Sequence, residues 1–509
     1  MKVVVFDDDP TGSQTVHGCP LLLRCDAASL RRGLAHPSPL LFVLANSRAL
    51  EPAAARQRLA EVCRCLRQVL AEIRSDDPQR SDGDLARRLQ PLLLVSRGDS
   101  TLRGHFPLEL EVIEQEVGQW LWASAAGDEP PGADARFLVP AFLPGGRTTV
   151  NGVHLLHGEP VHTSAFARDR LFGYQTSDLA AYIEAKSSGR VSATAVERLT
   201  LEELDAAVLS EDHRREGRPA GPGFEALCAR LAGLAPGAWV VVDAERPQQL
   251  SALGAAVRAL TAPVAAARWG RPRRFLFQSA ASLLNGLVRL GPQPRDARGL
   301  AALRRLDTAG QPLPGLVLVG SHVPLADAQL AQLLAAEPGC RLLEIPVAKV
   351  ARVLEGPASG ALLASLEAAW LAQLRQLLAA AQTPVLATSR GELPCCSAAE
   401  RRRLGLALAA LMARLVGALA PGLGYLISKG GITSHTLLES GLGCSSVELQ
   451  GQLLPGLSLV LTGPEAVVPQ LPVLTFPGNL GDGQTLQQAF ALLQAGPGPA
   501  GPGPGPPGC

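Results

Sequence analysis

The sequence predicts an α/β protein of two domains, each a mostly parallel sheet flanked by helices. Three observations lead there. Short, uninterrupted apolar runs alternate with longer amphipathic segments, which is the pattern of βαβ units. Those runs end in acids, arginines or glycines, where ligands bind in open α/β sheets. The chain has 509 residues, 47% of them hydrophobic, which is too long for one core and ample for two.

In order, Lys2–Phe6 is an apolar run suited to a strand buried on both faces, ending at Asp7, Asp8 and Asp9. Leu40–Ala45 reads as a second strand, ending at Asn46-Ser47-Arg48. A long amphipathic helix follows from about Ala53 to Ile73, with Pro52 where a first helical turn tolerates it. Leu92–Ser96 is a third strand, running into Arg97-Gly98-Asp99-Ser100-Thr101-Leu102-Arg103-Gly104. Helical sequence resumes at Leu108, and Phe137–Pro140 is a fourth strand before Gly145-Gly146-Arg147. Thr200 and Glu203 form a capping box for a helix through Leu209, and Trp239–Asp243 reads as another strand.

Ser210–Gly223 and Gly291–Gly299, rich in Pro, Gly and charge, read as loops. The expected division is residues 1–290 for the first domain, 291–314 for a linker and 315–495 for the second domain. A Gly-Pro tail, 496–509, is expected to be disordered. In the second half, Leu316–Val319, Leu342–Ile345 and Val385–Thr388 are strands, with a helix from Gly360 to Ala381. Ser397 and Glu400 start a helix through Val416. The apolar run Leu423–Ile427 precedes Lys429-Gly430-Gly431-Ile432-Thr433-Ser434 and a helix over Thr436–Leu442. Val473–Phe476 enters Pro477-Gly478-Asn479-Leu480-Gly481, and Asp482 can cap a final helix ending near Gln494.

The formal net charge is +1, which points away from nucleic acid and membrane surfaces and toward small-molecule partners at a local anion site. Ten cysteines and nine histidines show no zinc spacing, so incidental thiols in a reducing cytoplasm are expected. Met1 leads straight into an apolar run, so no signal peptide is expected. The apolar region Leu404–Ile427 is broken by Arg414 and Pro421 and reads as helix, turn and strand, not a membrane span.

Two sets of residues could carry chemistry. In the first half, the carboxylates Asp8, Asp9 and Asp99 could take a hydroxyl proton or meet a metal. Arg48, Arg103 and Arg147, with Ser100 and Thr101, could hold a small polyhydroxy carboxylate if they converge. Asp7-x-Asp9-x-Thr11 also matches the opening of haloacid-dehalogenase-type phosphatases, with Asp7 as nucleophile. In the second half, Gly320-Ser321, the Lys429–Ser434 turn and Pro477–Gly481 each follow a strand and together suit a phosphate-binding rim. An acid- and arginine-rich first domain and a glycine-rich second one suit phosphoryl transfer, where positioning and charge neutralisation dominate.

At these residues the chain resembles the four-carbon acid sugar kinase family. The matching pieces run from Asp7-Asp8-Asp9-Pro10-Thr11-Gly12-Ser13 through Asn46-Ser47-Arg48 and Asp99–Gly104 to Phe166-Ala167-Arg168-Asp169. They continue with Gly320-Ser321-His322-Val323, Thr388-Ser389-Arg390-Gly391, Lys429–Ser434 and Phe476-Pro477-Gly478-Asn479, in the family's order. Arg97-Gly98 departs from the family's lysine-rich entry to the Asp99 motif, and Gly456-Leu457-Ser458-Leu459 from a Gly-Val-Pro-Val type segment. The resemblance implies a sugar-acid domain, a C-terminal ATP domain, an active site in the cleft between them, and transfer from ATP with Mg²⁺ to threonate, erythronate or an oxo-tetronate. By position, the ATP site carries over to Ser321, Gly430, Gly431, Ile432, Thr433, Ser434, Gly478 and Asn479, with Lys429 either neutralising phosphate or bracing the turn. Metal ligands stay unassigned. A homodimer is among the expectations, and a sugar-acid sensor without turnover is the remaining alternative.

Overall fold

The structure, a computed structural model, describes residues 1–9, 12, 15–48, 50–75, 82–123, 132–208, 221–356, 359–391 and 397–495. Thr11 and Ser13 of the first motif, Cys395, Cys396, most of the Ser210–Gly223 stretch and the Gly-Pro tail lie outside the described residues. The chain forms two compact units, Met1–Pro292 and Gln293–Cys509.

The first unit holds a parallel sheet of β1 (Lys2–Asp7), β2 (Cys19–Leu22), β3 (Leu40–Leu44), β4 (Leu92–Arg97), β5 (Ala135–Val139), β9 (Val196–Leu199), β10 (Ala238–Val242) and β11 (Phe275–Ser279). Its order is β2-β3-β1-β4-β11-β5-β10-β9. Every residue of β1, β3 and β4 is buried, as strands covered on both faces require. A small antiparallel sheet, β6 (Arg147–Val150), β7 (Val153–Leu156) and β8 (Glu159–Pro160), stands apart. The helix Pro52–Ser75 starts on its proline and buries Ala55, Leu59, Val62, Leu66, Val69 and Ile73 at helical spacing. Both halves of the Thr200/Glu203 capping box are formed.

The short strands β2 and β9, the sheet β6–β8 and β11 have no counterpart in the sequence reading. β11 matters most, because it separates β4 from β5 in the sheet. Its run Phe-Leu-Phe follows Arg271-Pro272-Arg273-Arg274, whose charge and proline obscure the start of an apolar segment.

The second unit has the order β13-β14-β12-β15-β18-β17-β16. The parallel strands are β12 (Gly315–Val319), β13 (Cys340–Ile345), β14 (Thr383–Thr388), β15 (Tyr425–Lys429) and β18 (Pro472–Phe476). β16 (Ser446–Leu454) and β17 (Leu457–Thr462) add an antiparallel hairpin that the sequence reading missed. β16 alternates buried and half-buried residues, the mark of a strand covered on one face.

Two boundaries move. The stretch expected as linker is folded: Leu300 and Ala301, in the helix Ala297–Ala301, are buried in the second unit's core with Val317 and Ile427. The apolar run before the Gly430 turn is strand only from Tyr425, and that strand includes Lys429. One helix among the described residues, Glu400–Gly422, has the length and composition to cross a membrane. Leu411, Met412 and Val416 on it are buried within the protein, and β15 follows it, as the helix-turn-strand reading expects.

Candidate functional site

In the first unit the strand order reverses at β1: the chain adds β3 on one side of it and β4 on the other. A reversal of this kind opens a crevice beyond the carboxyl ends of the strands. Here those ends carry Asp7–Asp9, Asn46–Arg48 and Arg97–Gly104.

Asp8 is 1% exposed and receives a two-pronged contact from Arg48, Nε to Oδ2 at 2.8 Å and Nη2 to Oδ1 at 2.6 Å. Arg48 also lies 3.6 Å from Asp9, the most open of the three acids. Arg97 sits 3.7 Å from Asp7 and 3.8 Å from Asp8. Asp99 accepts from Arg103 Nε at 2.7 Å and from Thr101 Oγ1. Burial would raise its pKa, but the charges of Arg103 and Arg48 and these hydrogen bonds hold it well below the usual carboxylate range. Arg147 is half-buried, stands over Phe142 at 5.7 Å, and feels the charges of Asp99 and Arg103. The three arginines picked out in the sequence therefore share one electrostatic neighbourhood centred on Asp99. Arg48, Arg97, Arg103 and Arg147 thus stand among Asp7, Asp8, Asp9 and Asp99, a mixed charge cluster in which an anionic ligand could compete for the guanidinium groups.

Asp7 differs from its neighbours. It is fully buried, with Gly12 packed so closely that a Cβ there would lie 2.0 Å from its Oδ1. Burial, reinforced by Asp8 and Asp9 against the pull of Arg97, pushes its pKa up to about 8. Its enclosure under Gly12 leaves the carboxylate closed to an incoming phosphate, so the geometry gives the phosphatase reading no support.

The loops are held by residues that the sequence reading did not single out. Leu102 adopts φ 63° and Gly104 φ 139°, so the Asp99 loop needs outside support. Tyr174 donates its hydroxyl to the Thr101 carbonyl at 2.7 Å, and Tyr182 to that of Leu102 at 2.9 Å. His154 meets the Ser100 carbonyl at 2.8 Å and Thr149 Oγ1 at 3.0 Å; burial lowers its pKa to about 4, so it stays neutral. His154 is carried by β7. Glu109, 3% exposed, accepts from Ser47 Oγ at 2.6 Å and Ser96 Oγ at 2.9 Å, which ties the Arg48 turn to the end of β4. Its pKa is raised, first by burial and then by the charge of Asp8. Ser100 and Thr101 are themselves buried. A recess beside the loop is lined by Gly98, Asp99, Arg103, Leu138, Gln278 and Ser279, among others.

The second unit repeats the plan with different materials. β12, β15 and β18 are adjacent, so the three glycine turns do line one end of one sheet. Gly430 has φ 119°, and a Cβ on it would lie 3.3 Å from Ser321 N. A Cβ on Gly478 would lie 2.7 Å from Ser321 Oγ, and one on Gly320 1.9 Å from Thr433 Oγ1. The turns thus meet around Ser321, and only glycine permits that approach. Gly431 opens the helix Gly431–Thr436, earlier than expected, with Ile432 48% exposed on its first turn; Asn479 is also exposed.

Other residues assigned to the ATP site face inward. Ser434 donates to Ser428 O at 3.0 Å, and Thr433 is 5% exposed against Gly320. Lys429 is fully buried, donates to the Pro477 and Gly478 carbonyls at 3.2 Å each, and lies 3.8 Å from the centre of the Phe476 ring. It braces the turn, because β15 runs two residues further than the sequence suggests and carries Lys429 into the sheet. Arg390 was overlooked as a site residue. It donates to Ser321 O at 2.6 Å and pairs with Asp327 at 3.2 Å, while its Nε and Nη2 are buried without partners among the described residues.

A strand-end rim of charged side chains and a strand-end rim of close-packed glycines define a protein with one unit built for a polar anion and another for backbone-mediated binding. The comparisons agree: residues 3–287 match the sugar-binding N-terminal domain family, and residues 316–486 the nucleotide-binding C-terminal domain family. The chain belongs to the four-carbon acid sugar kinase family, whose architecture is formed by these two domains. No curated protein matches it. Solved structures share the fold. A Salmonella typhimurium LT2 protein provisionally named a tRNA synthase is 15% identical with TM-score 0.58, covering 96% of this chain and 98% of its own. A Haemophilus influenzae protein of the family DUF1537 is 15% identical with TM-score 0.54, covering 96% and 100%.

Proposed function

We propose that the chain is an ATP-dependent kinase that phosphorylates a hydroxyl, the terminal one by family resemblance, of a four-carbon sugar acid such as threonate, erythronate or an oxo-tetronate. The observation that carries the reading is the paired network of Arg48 with Asp8 and Asp9 and of Arg103 with Asp99 at the ends of β3, β1 and β4 in the sugar-binding unit, with Arg147 in electrostatic reach of Asp99. Guanidinium groups suit a carboxylate, and a fixed charge network positions it without reorganisation. Asp9 has the most exposed side chain of Asp8, Asp9 and Asp99, with Arg48 3.6 Å away, so it is the acid most accessible to the acceptor hydroxyl and the one we assign to take its proton.

ATP fits the second unit. The turns at Gly320, Gly430 and Gly478 pack together around Ser321 at the strand ends, and beside Ser321 Arg390 offers two donor nitrogens, Nε and Nη2, that have no partner among the described residues and could meet phosphate oxygens. Mg²⁺, which neutralises phosphate charge in such transfers, would be held mainly by phosphate oxygens and water. No ligand in the chain is assigned to it; among the described residues no group of three or more His, Cys, Asp or Glu side chains could hold a metal. Cys63, Cys65, Cys228 and Cys340 are free thiols, which is compatible with a reducing cytoplasm as the working compartment.

The test is to incubate the purified chain with ATP, Mg²⁺ and a panel of tetronates, following ADP and the phosphorylated acid by NMR. ADP formation dependent on one panel member is expected. Turnover with no member of a broad sugar-acid panel would sink the proposal.

A further inference from the structure

β11 ends in two side chains that the charge network around Asp99 does not use. Gln278 is 8% exposed and Ser279 3%, and among the described residues Gln278 Oε1 and Ser279 Oγ have no hydrogen-bond partner. Buried polar oxygens are rarely left so. Both residues line the recess that also holds Gly98, Asp99 and Arg103. Their position is fixed by the sheet. Gln278 is in register with Ser96 and Ser279 with Arg97, and Gly98 N–H donates to the Ser279 carbonyl at 2.9 Å. Other parts of the recess wall, Leu102, Phe106, Leu138 and Pro140, are apolar. Gly98 completes the arrangement: a Cβ there would come 2.5 Å from Gln278 Nε2, so any side chain at this position displaces the carboxamide.

We infer that Gln278 and Ser279 read a hydroxyl of the acceptor, and that this pair, with the space left by Gly98, selects polyhydroxy acids over their deoxy counterparts. The inference rests on the sugar-acid reading of this site and deepens it. The acid's carboxylate lies against the arginines, and one of its hydroxyls enters the recess. There it donates to the carboxamide oxygen and exchanges a hydrogen bond with Ser279 Oγ. An acid lacking that hydroxyl leaves both oxygens buried and unpaired, which is why a hydrogen-bonding pocket rejects such analogues more strongly than an apolar one.

Calorimetric binding of threonate, erythronate and their 2-, 3- and 4-deoxy analogues to the full chain, without nucleotide, tests this. For the wild type, removing one of the hydroxyls should weaken binding about 10- to 100-fold. Gln278→Met and Ser279→Ala should bring that ratio near one by losing affinity only for the hydroxylated acid. Gly98→Ala, which moves the carboxamide without removing it, should give an intermediate ratio. Circular dichroism melts establish that each variant folds; should Gln278→Met not fold, the smaller Ser279→Ala change decides. Equal weakening toward all ligands, an unchanged ratio, or no binding by any panel member overturns the inference. Discrimination in binding without ADP formation would sink the kinase reading and leave this one standing. ADP formation with no discrimination would do the reverse.

Discussion

The two units place their candidate sites at the same point of an open parallel sheet and build them from opposite materials. In the first, charged side chains compensate one another: Arg48 grips Asp8, Arg103 grips Asp99, and Arg97 stands over Asp7 and Asp8. In the second, three glycine turns crowd Ser321, and Lys429 is held by two carbonyls and an aromatic ring. One rim is specified by charge and the other by the absence of side chains. Charge changes should therefore break the first rim and volume changes the second, each leaving its counterpart's ligand bound.

The largest expected effect is on chemistry in the first unit. Asp9→Asn should lower kcat about 10²- to 10⁴-fold, the worth of a positioned general base, with ATP binding by calorimetry unchanged. Asp8→Asn should act differently, loosening Arg48 and raising the acceptor KM more than it lowers kcat. If Asp9→Asn turns over normally while Asp8→Asn does not, the base has been assigned to the wrong acid.

Next in size is Gly430→Ala. A non-glycine residue at φ 119° costs about 1–3 kcal/mol, and the new Cβ would press on Ser321 N. Nucleotide affinity should fall about 10-fold or more, for 1.4 kcal/mol is a factor of ten. Sugar-acid affinity should stay within twofold. A loss of both affinities together would show that the two rims are not the independent devices described above.

Much of this contrast was legible in the sequence, and its limits have physical causes. Uninterrupted apolar runs located β1, β3, β4, β12, β14, β15 and β18, and the polar residues ending them were rightly gathered at one edge of each sheet. β11 escaped because a basic, proline-containing stretch precedes it. With it went Gln278 and Ser279, which lie beside Asp99 only through strand order. Glu109, Tyr174 and Tyr182 reach the loops across long sequence separations, and no local pattern reveals such supports. Lys429 stayed open between phosphate contact and brace because the run Leu423–Ile427 does not reveal that the strand extends two residues further and carries the lysine beneath the Pro477 and Gly478 carbonyls.

The remaining predictions use pH, where the rims should differ in sign. Asp7 has its pKa raised from 3.8 to about 8 by burial, so the folded chain binds a proton that the unfolded chain has lost in that interval. Its contribution to stability is complete below 3.8 and is lost as pH rises toward 8. Asp7→Asn, neutral at every pH, should abolish this decline. Hydrogen exchange of β1 and β4 peptides from pH 5 to 8 reads it, and an unchanged slope in the variant would show that Asp7 does not titrate as placed.

Lys429 gives the smallest effect and the opposite slope. Burial lowers its pKa from 10.5 to about 7, so between those values the unfolded chain binds the proton that the folded chain has released. Stability of the second unit should therefore rise with pH across that interval. Lys429→Met keeps most of the volume, removes the titrating group, and leaves the Pro477 and Gly478 carbonyls without their donor. The expected outcome is a flat pH dependence in exchange of β15 and β18 peptides, with nucleotide affinity weakened only a few-fold because the lysine supports the turn from beneath. Lys429→Arg, longer and always charged, should fit worse than methionine in this enclosed position. If methionine instead abolishes nucleotide binding while arginine restores it, the charge itself reaches the phosphates, and the glycine rim is not as free of side-chain charge as its geometry indicates.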